Sequence, residues 1–191
     1  PPGTPKNVSI ALKNNIPFVG FGYEMYLLEP STVQVYNLDN GTFIKTHNDV
    51  HPGAMSESVG NVDIQFNNGI LYVAYVYTLL GYVKKLNNTV WEDVDGTGSV
   101  VTPTNNDVSL FVESATNIYA AFVTMASNWG VYKFTGSSWI GPLDGNREGY
   151  SFNIAGTYGG QHNVFVGYKK DFPKAVYLDG TWNNTGTISN D

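Results

Sequence analysis

Phe18-Val-Gly-Phe21 is the first of four segments that share one pattern: aromatic, small or branched apolar, Gly or Ala, aromatic. The pattern returns as Tyr72-Val-Ala-Tyr75, Tyr119-Ala-Ala-Phe122 and Phe165-Val-Gly-Tyr168. These spacings define an internal repeat of roughly 50 residues, a length that is typical of solenoids and propellers. The 191 residues therefore divide into four copies of one structural unit.

Each segment is preceded by an alternating stretch and followed by a turn with a bulky residue. The preceding stretches are Val8-Ser-Ile-Ala-Leu12, Val62-Asp-Ile-Gln-Phe66, Val108-Ser-Leu-Phe-Val112 and Phe152-Asn-Ile-Ala, and the turns lead to Phe43, Trp91, Trp139 and Trp182. Alternation of period two, with Asn-Gly, Asp-Gly or Gly-Ser turns, predicts strands A, B, C and D in every unit. Residues 76–88 could also form a short amphipathic helix, but their B-to-C position in the repeat favours strand and loop.

The fold predicted from this repeat is an all-β, single-domain β-propeller of four four-stranded antiparallel blades. The predicted blades are residues 7–60, 61–106, 107–150 and 151–191, either as a complete ring or as part of a larger propeller. Blades approach each other most closely near the axis, where large side chains on every face would not fit. We expect the small residues of the pattern to provide that clearance and the tryptophans of strand D to be core.

The stretch from Asn7 to Phe21, together with Tyr132-Lys-Phe-Thr-Gly-Ser-Ser-Trp139, resembles the repeat of bacterial and archaeal extracellular β-propellers. That repeat combines a Ser-Ile-Ala strand, a Tyr-Val-Ala-Tyr strand and an Asp-Gly-Thr-Ser-Trp turn. The resemblance covers essentially the whole chain. It implies a propeller fold and a secreted or cell-surface setting, and it carries over no catalytic residue.

Two turns also resemble the Asp-box of sialidase-like propellers: Asp39-Asn-Gly and Asp179-Gly-Thr-Trp182. An Asp in such a turn shapes the backbone, so the match indicates fold rather than function. Sialidases bind the substrate carboxylate with several arginines, whereas Arg147 is the single arginine of this chain. We therefore expect no sialidase activity.

Composition excludes several classes of partner and chemistry. The formal net charge is -6 and 14% of residues are charged, which is unlike the basic surface that nucleic acids require. There is no cysteine, which excludes disulfides, thiolate metal sites and a cysteine nucleophile. No apolar run approaches the roughly 20 residues of a membrane-spanning helix, so we expect no membrane insertion.

Two stretches have the residue types of metal sites. His47, Asp49 and His51 alternate, so an extended backbone would place three ligands on one side. Asp93-Val-Asp95-Gly-Thr-Gly98 begins like a calcium loop but has Thr104 where the closing Glu belongs. Polar loops explain both stretches more simply. We therefore predict no cofactor, and leave calcium open as an alternative.

An enzyme is the third of three functional hypotheses. Glycoside hydrolysis or lysis needs paired carboxyl groups, and loop carboxylates that could converge on one face are Glu24, Glu29, Asp144, Glu148 and Asp171. No paired spacing singles out any two of them. Since nucleophile motifs and clustered histidines are also missing, the sequence predicts a protein that is not an enzyme.

Binding is the leading hypothesis. The B-to-C loops and D-to-A connections of a propeller emerge on one face. In this chain they carry aromatic residues among amides and carboxylates, a combination that suits the apolar faces and hydroxyls of sugars. The candidate ligand-binding residues are Tyr23, Tyr26, Tyr77, Trp129 and Phe172.

The sequence thus predicts an extracellular recognition module for glycans. The alternative is a structural component that assembles with a surface protein, with the same aromatic rings capping the core. A monomeric ring closed by packing the first sheet on the fourth is favoured slightly, with a two-chain, eight-blade ring as the alternative.

Overall fold

The computed structural model describes residues 4–24, 30–51, 53, 57–101, 104–124, 128–143, 145, 147–156, 164–169, 173–179 and 181–187. These residues form four antiparallel sheets, each a meander in sequence order. No helix in this part of the chain is long and apolar enough to cross a membrane. The predicted all-β propeller of four blades is confirmed, and residues 76–88 lie in strands and their turn, not in a helix.

The four sheets are called the first to fourth blades. The first contains β1 (Thr4–Lys13), β2 (Ile16–Glu24), β3 (Thr32–Asp39) and β4 (Thr42–Lys45). The second contains β5 (Val59–Asn67), β6 (Ile70–Tyr77), β7 (Leu80–Asn87), β8 (Val90–Asp93) and β9 (Ser99–Val101). The third contains β10 (Thr104–Ser114), β11 (Asn117–Thr124), β12 (Asn128–Phe134), β13 (Trp139–Ile140) and β14 (Arg147–Glu148). The fourth contains β15 (Tyr150–Gly156), β16 (Val164–Lys169), β17 (Pro173–Asp179) and β18 (Thr181–Thr187).

The first strand of each blade lies innermost, with β1 beside β5, β5 beside β10 and β10 beside β15. Tight turns join the strands where the sequence has Asn or Gly. Asn40 and Gly41, and likewise Asn68 and Gly69, both have positive φ, as two-residue hairpin turns require. The strands B, C and D then extend outwards, so residues on the innermost strands border the axis.

The hydrophobic core consists of three clusters, one in each gap between consecutive blades. We call the face that packs on the next blade along the chain the forward face, and the opposite face the backward face. The forward face of the first blade presents Gly20, and a Cβ there would lie 2.6 Å from Ile64 Cγ2 on the backward face of the second. The predicted need for a small residue is confirmed at this position.

Two of the strand D tryptophans fasten their blade to the segment that precedes it. Trp91 Nε1 donates a hydrogen bond to Asn48 O (3.0 Å), and Trp182 Nε1 donates to Leu143 O (2.8 Å). Trp91 and Trp139 are half-buried against the core, and Trp182 is buried. Phe43, at the same repeat position in the first blade, is 56% exposed, because no blade lies behind it.

The expected closure of the ring is not observed. Among the described residues the three clusters join the first blade to the second, the second to the third and the third to the fourth. None of them joins the fourth blade to the first.

Candidate functional site

A cavity of about 750 Å³ lies at the axis of the propeller and is lined by the innermost strands of all four blades. Its polar lining comes from equivalent repeat positions. One set is Asn7, Asn61 and Asp107, and the other is Ser9, Asp63, Ser109 and Asn153. We call it the axial cavity. An innermost strand of period two presents every second side chain to the axis side, so a polar residue repeated there produces a polar pocket.

Backbone irregularities at the start of each innermost strand help to form this lining. The pairing register shifts between Lys6 and Val8, between Val59 and Val62, between Thr104 and Val108, and between Tyr150 and Asn153. Such bulges break the strict alternation and re-aim a side chain. The residues Asn7, Asn61 and Asp107 lie within three of these shifts and line the cavity.

The second set of polar residues ties neighbouring blades together. Ser9 Oγ accepts a hydrogen bond from Ile64 N (3.1 Å), Asp63 Oδ2 from Leu110 N (2.8 Å), and Ser109 Oγ from Ile154 N (3.1 Å). Each of these bonds runs from a backbone N–H to the equivalent side chain of the blade before it. An innermost strand has no neighbouring strand on its axial edge, so some of its backbone groups need other partners. These bonds to side chains provide part of that pairing.

Asp63 is the centre of this arrangement. Besides Leu110 N, it accepts hydrogen bonds from Ser9 Oγ (2.7 Å) and Ser109 Oγ (3.3 Å), so its carboxylate spans the first, second and third blades. A carboxylate held by several donors on both oxygens is fixed in position. Asp63 therefore acts as a positioning residue that holds the wall of the cavity.

Asp107 is the second carboxyl group of the axial cavity and has a different environment. Its Oδ1 accepts a hydrogen bond from Asn61 Nδ2 (2.5 Å). Partial burial raises the pKa of Asp107 above its ordinary value. A carboxyl group with a raised pKa holds its proton to higher pH, which suits it to donate as well as accept hydrogen bonds.

The fourth blade contributes an aromatic ring and an ammonium group to the same cavity. Tyr168 and Lys174 are paired on neighbouring strands and both line it. Tyr168 packs on Trp129, with ring centroids 5.0 Å apart, and Trp129 packs on Trp182 at 5.6 Å. The lining therefore combines a tyrosine ring, amides, hydroxyls, carboxyls and one cation, the groups that hydrogen-bond and stack on a polyhydroxylated ligand.

The structure buries two of the five aromatic residues that were predicted as a binding surface. Trp129 is fully buried and Tyr77 is 2% exposed, because both side chains fill gaps between blades. Tyr77 packs on His51 and donates hydrogen bonds to Glu57 and to Ser31 O. Tyr23 is half-buried in an apolar groove of the first blade, away from the axial cavity. Tyr26 and Phe172 lie outside the described residues.

The predicted metal ligands are not brought together. Asp49 Oδ1 pairs with Lys45 Nζ (2.5 Å), and His51 Nδ1 lies 3.0 Å from Tyr75 Oη. His47 lines a separate pocket between the first two blades. The prediction required an extended segment, but this one bends and reaches only an isolated bridge between His51 and Val33.

The stretch that resembles a calcium loop is a hydrogen-bonded turn. Asp95 Oδ1 accepts from Thr97 N (3.0 Å), and Asp93 Oδ1 lies 3.7 Å from Lys84 Nζ. Across the described residues, no group of three or more His, Asp or Glu side chains could hold a metal ion.

Two of the five loop carboxylates considered for catalysis, Glu24 and Glu148, lie among the described residues. Glu24 and Glu148 are on strands, paired with Thr4 and Asn128 respectively. Neither lines the axial cavity. Glu29, Asp144 and Asp171 lie outside the described residues.

Sequence reasoning missed Asn61, Asp63 and Asp107. The signal was present in the alternating stretches themselves: the second residue of Val8-Ser9, Val62-Asp63, Val108-Ser109 and Phe152-Asn153 is polar in all four units. In the innermost strand of a propeller, a polar residue at the same position of every repeat points to the axis.

No protein-family model and no curated protein matches the chain. Solved structures do resemble it. A glycosyl hydrolase from Bacteroides ovatus has a TM-score of 0.57 at 12% identity, over 98% of this chain and 70% of that one. The fucose-specific lectin from Aleuria aurantia has a TM-score of 0.54 at 10% identity, over 100% and 81%. The sialidase from Trypanosoma rangeli, solved with sialic acid, has a TM-score of 0.60 at 11% identity, over 98% and 39%.

These similarities establish the fold and correct one prediction. The fold is one on which both glycoside hydrolases and a lectin are built. The prediction that the chain is not an enzyme is contradicted, since most of the similar structures are glycoside hydrolases. That prediction rested on missing cysteine, histidine and nucleophile motifs, a single arginine and the lack of a paired carboxylate spacing, whereas the carboxyl groups that glycoside hydrolysis needs can come from different strands.

Proposed function

We propose that the chain recognises a carbohydrate in the axial cavity. The observation that carries this proposal is the convergence of polar side chains from equivalent positions of all four innermost strands on one cavity of about 750 Å³. That volume suits a small-molecule or oligosaccharide site. Glycan-binding and glycan-cleaving proteins with this fold support the assignment. An extracellular setting, where polysaccharides are met, is part of the proposal.

The chemistry of the lining favours a neutral or weakly charged sugar. The half-buried ring of Tyr168 offers an apolar face, and Asn61, Asp107 and Lys174 offer donors and acceptors around it. A sugar ring needs both, because its C–H face is apolar while its hydroxyls lose water on binding. Phosphates are disfavoured, because the described residues of the lining include two carboxyl groups and one lysine.

Hydrolysis of the bound sugar is the second candidate function, and the raised pKa of Asp107 favours it. A glycosidic oxygen leaves readily when a carboxylic acid protonates it, and burial is the usual means of keeping that acid protonated. In this scheme Asp107 gives its proton to the glycosidic oxygen as the bond from that oxygen to the anomeric carbon breaks, a water molecule adds to the carbon, and the proton that the water releases returns Asp107 to its acid form. Asp63, fixed by its three donors, holds the wall against which the sugar lies.

A glycan array tests the binding proposal, with xylotriose and fucosylated, sialylated and β-1,3-galactan probes included. We expect binding by the wild-type chain, reduced about tenfold or more in Asn61→Ala, because a lost polar contact to a buried ligand removes on the order of 1–3 kcal/mol. The matched control is Asn88→Ala, in an exposed turn away from the cavity. No binding by folded wild-type protein would refute the proposal and favour the structural-component alternative.

Release of reducing sugar from the glycan that binds tests the second candidate. Asp107→Asn should abolish hydrolysis while leaving binding within about threefold, because the amide keeps the shape and the hydrogen bond to Asn61. Asp95→Asn, in the remote turn, should leave both unchanged. Hydrolysis that persists in Asp107→Asn would exclude this residue as the acid.

A further inference from the structure

The backward face of the first blade is apolar and uncovered. Val8, Ile10 and Leu12 are 56%, 64% and 65% exposed. The same repeat positions are occupied by Val62 and Ile64 in the second blade, which are 3% and 4% exposed. Phe43 extends the uncovered face outwards. Contiguous apolar surface of this kind marks an interface.

The forward face of the fourth blade packs on no other blade among the described residues, with Phe165 half-buried and Gly167 exposed. Phe165 and Gly167 repeat the aromatic-x-small pattern by which Phe18 and Gly20 receive the second blade. A Cβ on Gly20 would lie 2.6 Å from Ile64 Cγ2, whereas a Cβ on Gly167 would meet nothing within 4 Å. The forward face of the fourth blade therefore has room at Gly167 for another sheet, and no sheet among the described residues fills it.

The two faces are complementary halves of one interface that the molecule uses three times. At each internal gap, an apolar backward face packs on a forward face of the aromatic-x-small pattern. The backward face of the first blade has no forward face packed on it. The forward face of the fourth blade has no backward face packed on it. A sheet of the same repeat has one of each.

The gap between the first and fourth blades fits one additional sheet. Among the described residues the first and fourth blades share no core cluster, and Val8, Ile10 and Leu12 are exposed, which sheets stacked directly at roughly 10 Å would not allow. Nevertheless Asn7 and Ser9 of the first blade border the same axial cavity as Asn153 and Gly167 of the fourth. A gap of several blades would leave them on opposite sides of a wide channel.

We propose that one further four-stranded blade of the same repeat fills this gap and completes a five-bladed ring. Its forward face covers Val8, Ile10 and Leu12, and its backward face covers Phe165 and Gly167. A groove of about 410 Å³ on the first blade, lined by Phe21, Tyr36 and Phe43 among others, receives the outer part of the added sheet. The added blade also forms the missing wall of the axial cavity.

The second blade is a suitable source for the added blade, because both its backward and its forward face pack on a neighbouring blade. The backward face of the second blade packs on the Gly20 face, and its forward face, with Tyr72 and Ala74, packs on Val108 and Leu110 of the third. We would append a copy of residues 46–101 after Asp191. The control carries lysine in the appended copy at the positions equivalent to Ile64 and Ala74.

The extended chain should remain a monomer by light scattering, and its thermal midpoint should exceed that of the control by roughly 5 °C or more. Hydrogen exchange in β1 and β16 should slow. Ile10→Lys with Leu12→Lys should leave the midpoint of the 191-residue chain unchanged but abolish the gain in the extended chain. These readouts need no glycan, so they stand apart from the proposed function.

Three results would overturn the proposal. One is an extended chain whose appended blade is digested by protease with no gain in midpoint. Another is a lysine control that gains as much as the extended chain. The third is a stable dimer of the 191-residue chain, near twice 20.9 kDa, with slowed exchange in β1 and β16, since a second copy would then occupy both faces.

Discussion

Ile10 and Ile64 occupy the same position of the repeat, yet Ile10 is on an open face and Ile64 is in a core. The two strands have nearly the same sequence, Val8-Ser-Ile-Ala and Val62-Asp-Ile-Gln. They differ in what lies behind them: solvent for the first blade, and the first blade itself for the second. The pattern therefore determines that a residue can pack, whereas the neighbouring blade determines whether it does.

The largest expected difference is in side-chain truncation. Ile64→Ala should lower the free energy of unfolding by about 2–5 kcal/mol, because it removes a buried side chain and leaves a cavity. Ile10→Ala should change it by less than about 0.5 kcal/mol, since Ile10 is mostly exposed. Urea denaturation of both variants measures the difference. Equal losses would mean that the first blade is covered in solution.

The next difference is between polar residues of the axial ring. Asp63→Ala leaves Leu110 N and the Ser9 and Ser109 hydroxyls without their acceptor, so we expect a loss of about 1–3 kcal/mol for the buried groups. Asn153→Ala, at the equivalent but exposed position of the fourth blade, should cost roughly 0.5 kcal/mol or less. Chemical denaturation followed by tryptophan fluorescence gives both values. A loss at Asn153 as large as that at Asp63 would contradict the open fourth blade.

A smaller difference separates two glycines. Gly20→Ala should destabilise by about 1–3 kcal/mol, because its Cβ would overlap Ile64 Cγ2, a methyl group on a stiff β-branched side chain. Gly167→Ala meets open space and should be neutral or slightly stabilising. Thermal midpoints distinguish the two. Destabilisation by Gly167→Ala would show that its face is already in contact with another sheet.

The smallest expected effect is one of pH, at the boundary of the first two blades. Burial and Lys84 lower the pKa of His51 below its ordinary value of 6.5, against the opposing charges of Glu57 and Asp93. The unfolded chain then binds more protons than the folded protein below pH 6.5, so stability should fall as the pH falls from about 7 to 5. His51→Asn should flatten this slope. An unchanged slope in the variant would assign it to other groups.

The sequence predicted the blades well because their causes are local. Alternation, Asn-Gly turns and the clearance at Gly20 are properties of a few neighbouring residues. Burial of Trp129 could not be predicted, since it depends on Tyr168 and Trp182 from the next blade. The site was missed for a related reason: Asn61 and Asp107 lie at bulges, where one extra residue breaks the alternation from which orientation is read.

Besides the axial cavity, the groove on the open first blade is another place where a glycan could lie. The groove of the first blade has aromatic rings, with Phe21 stacked on Tyr36 at 5.5 Å, but it is apolar. The axial cavity has two rings, Phe152 and Tyr168, together with amides, hydroxyls, carboxyl groups and an ammonium group. Sugar hydroxyls lose their hydrogen bonds to water on binding and need such groups as new partners. We therefore expect the ligand at the axis.

Hydrogen exchange, measured with and without the glycan that binds, tests whether the ligand lies in the axial cavity. If the glycan lies in the axial cavity, exchange should slow at the starts of the innermost strands, around residues 7, 61 and 107. Exchange in β2 and β4, around Tyr23 and Phe43, should not change. Slowed exchange confined to β2 and β4, with the innermost strands unaffected, would contradict it and move the binding site to the open face of the first blade.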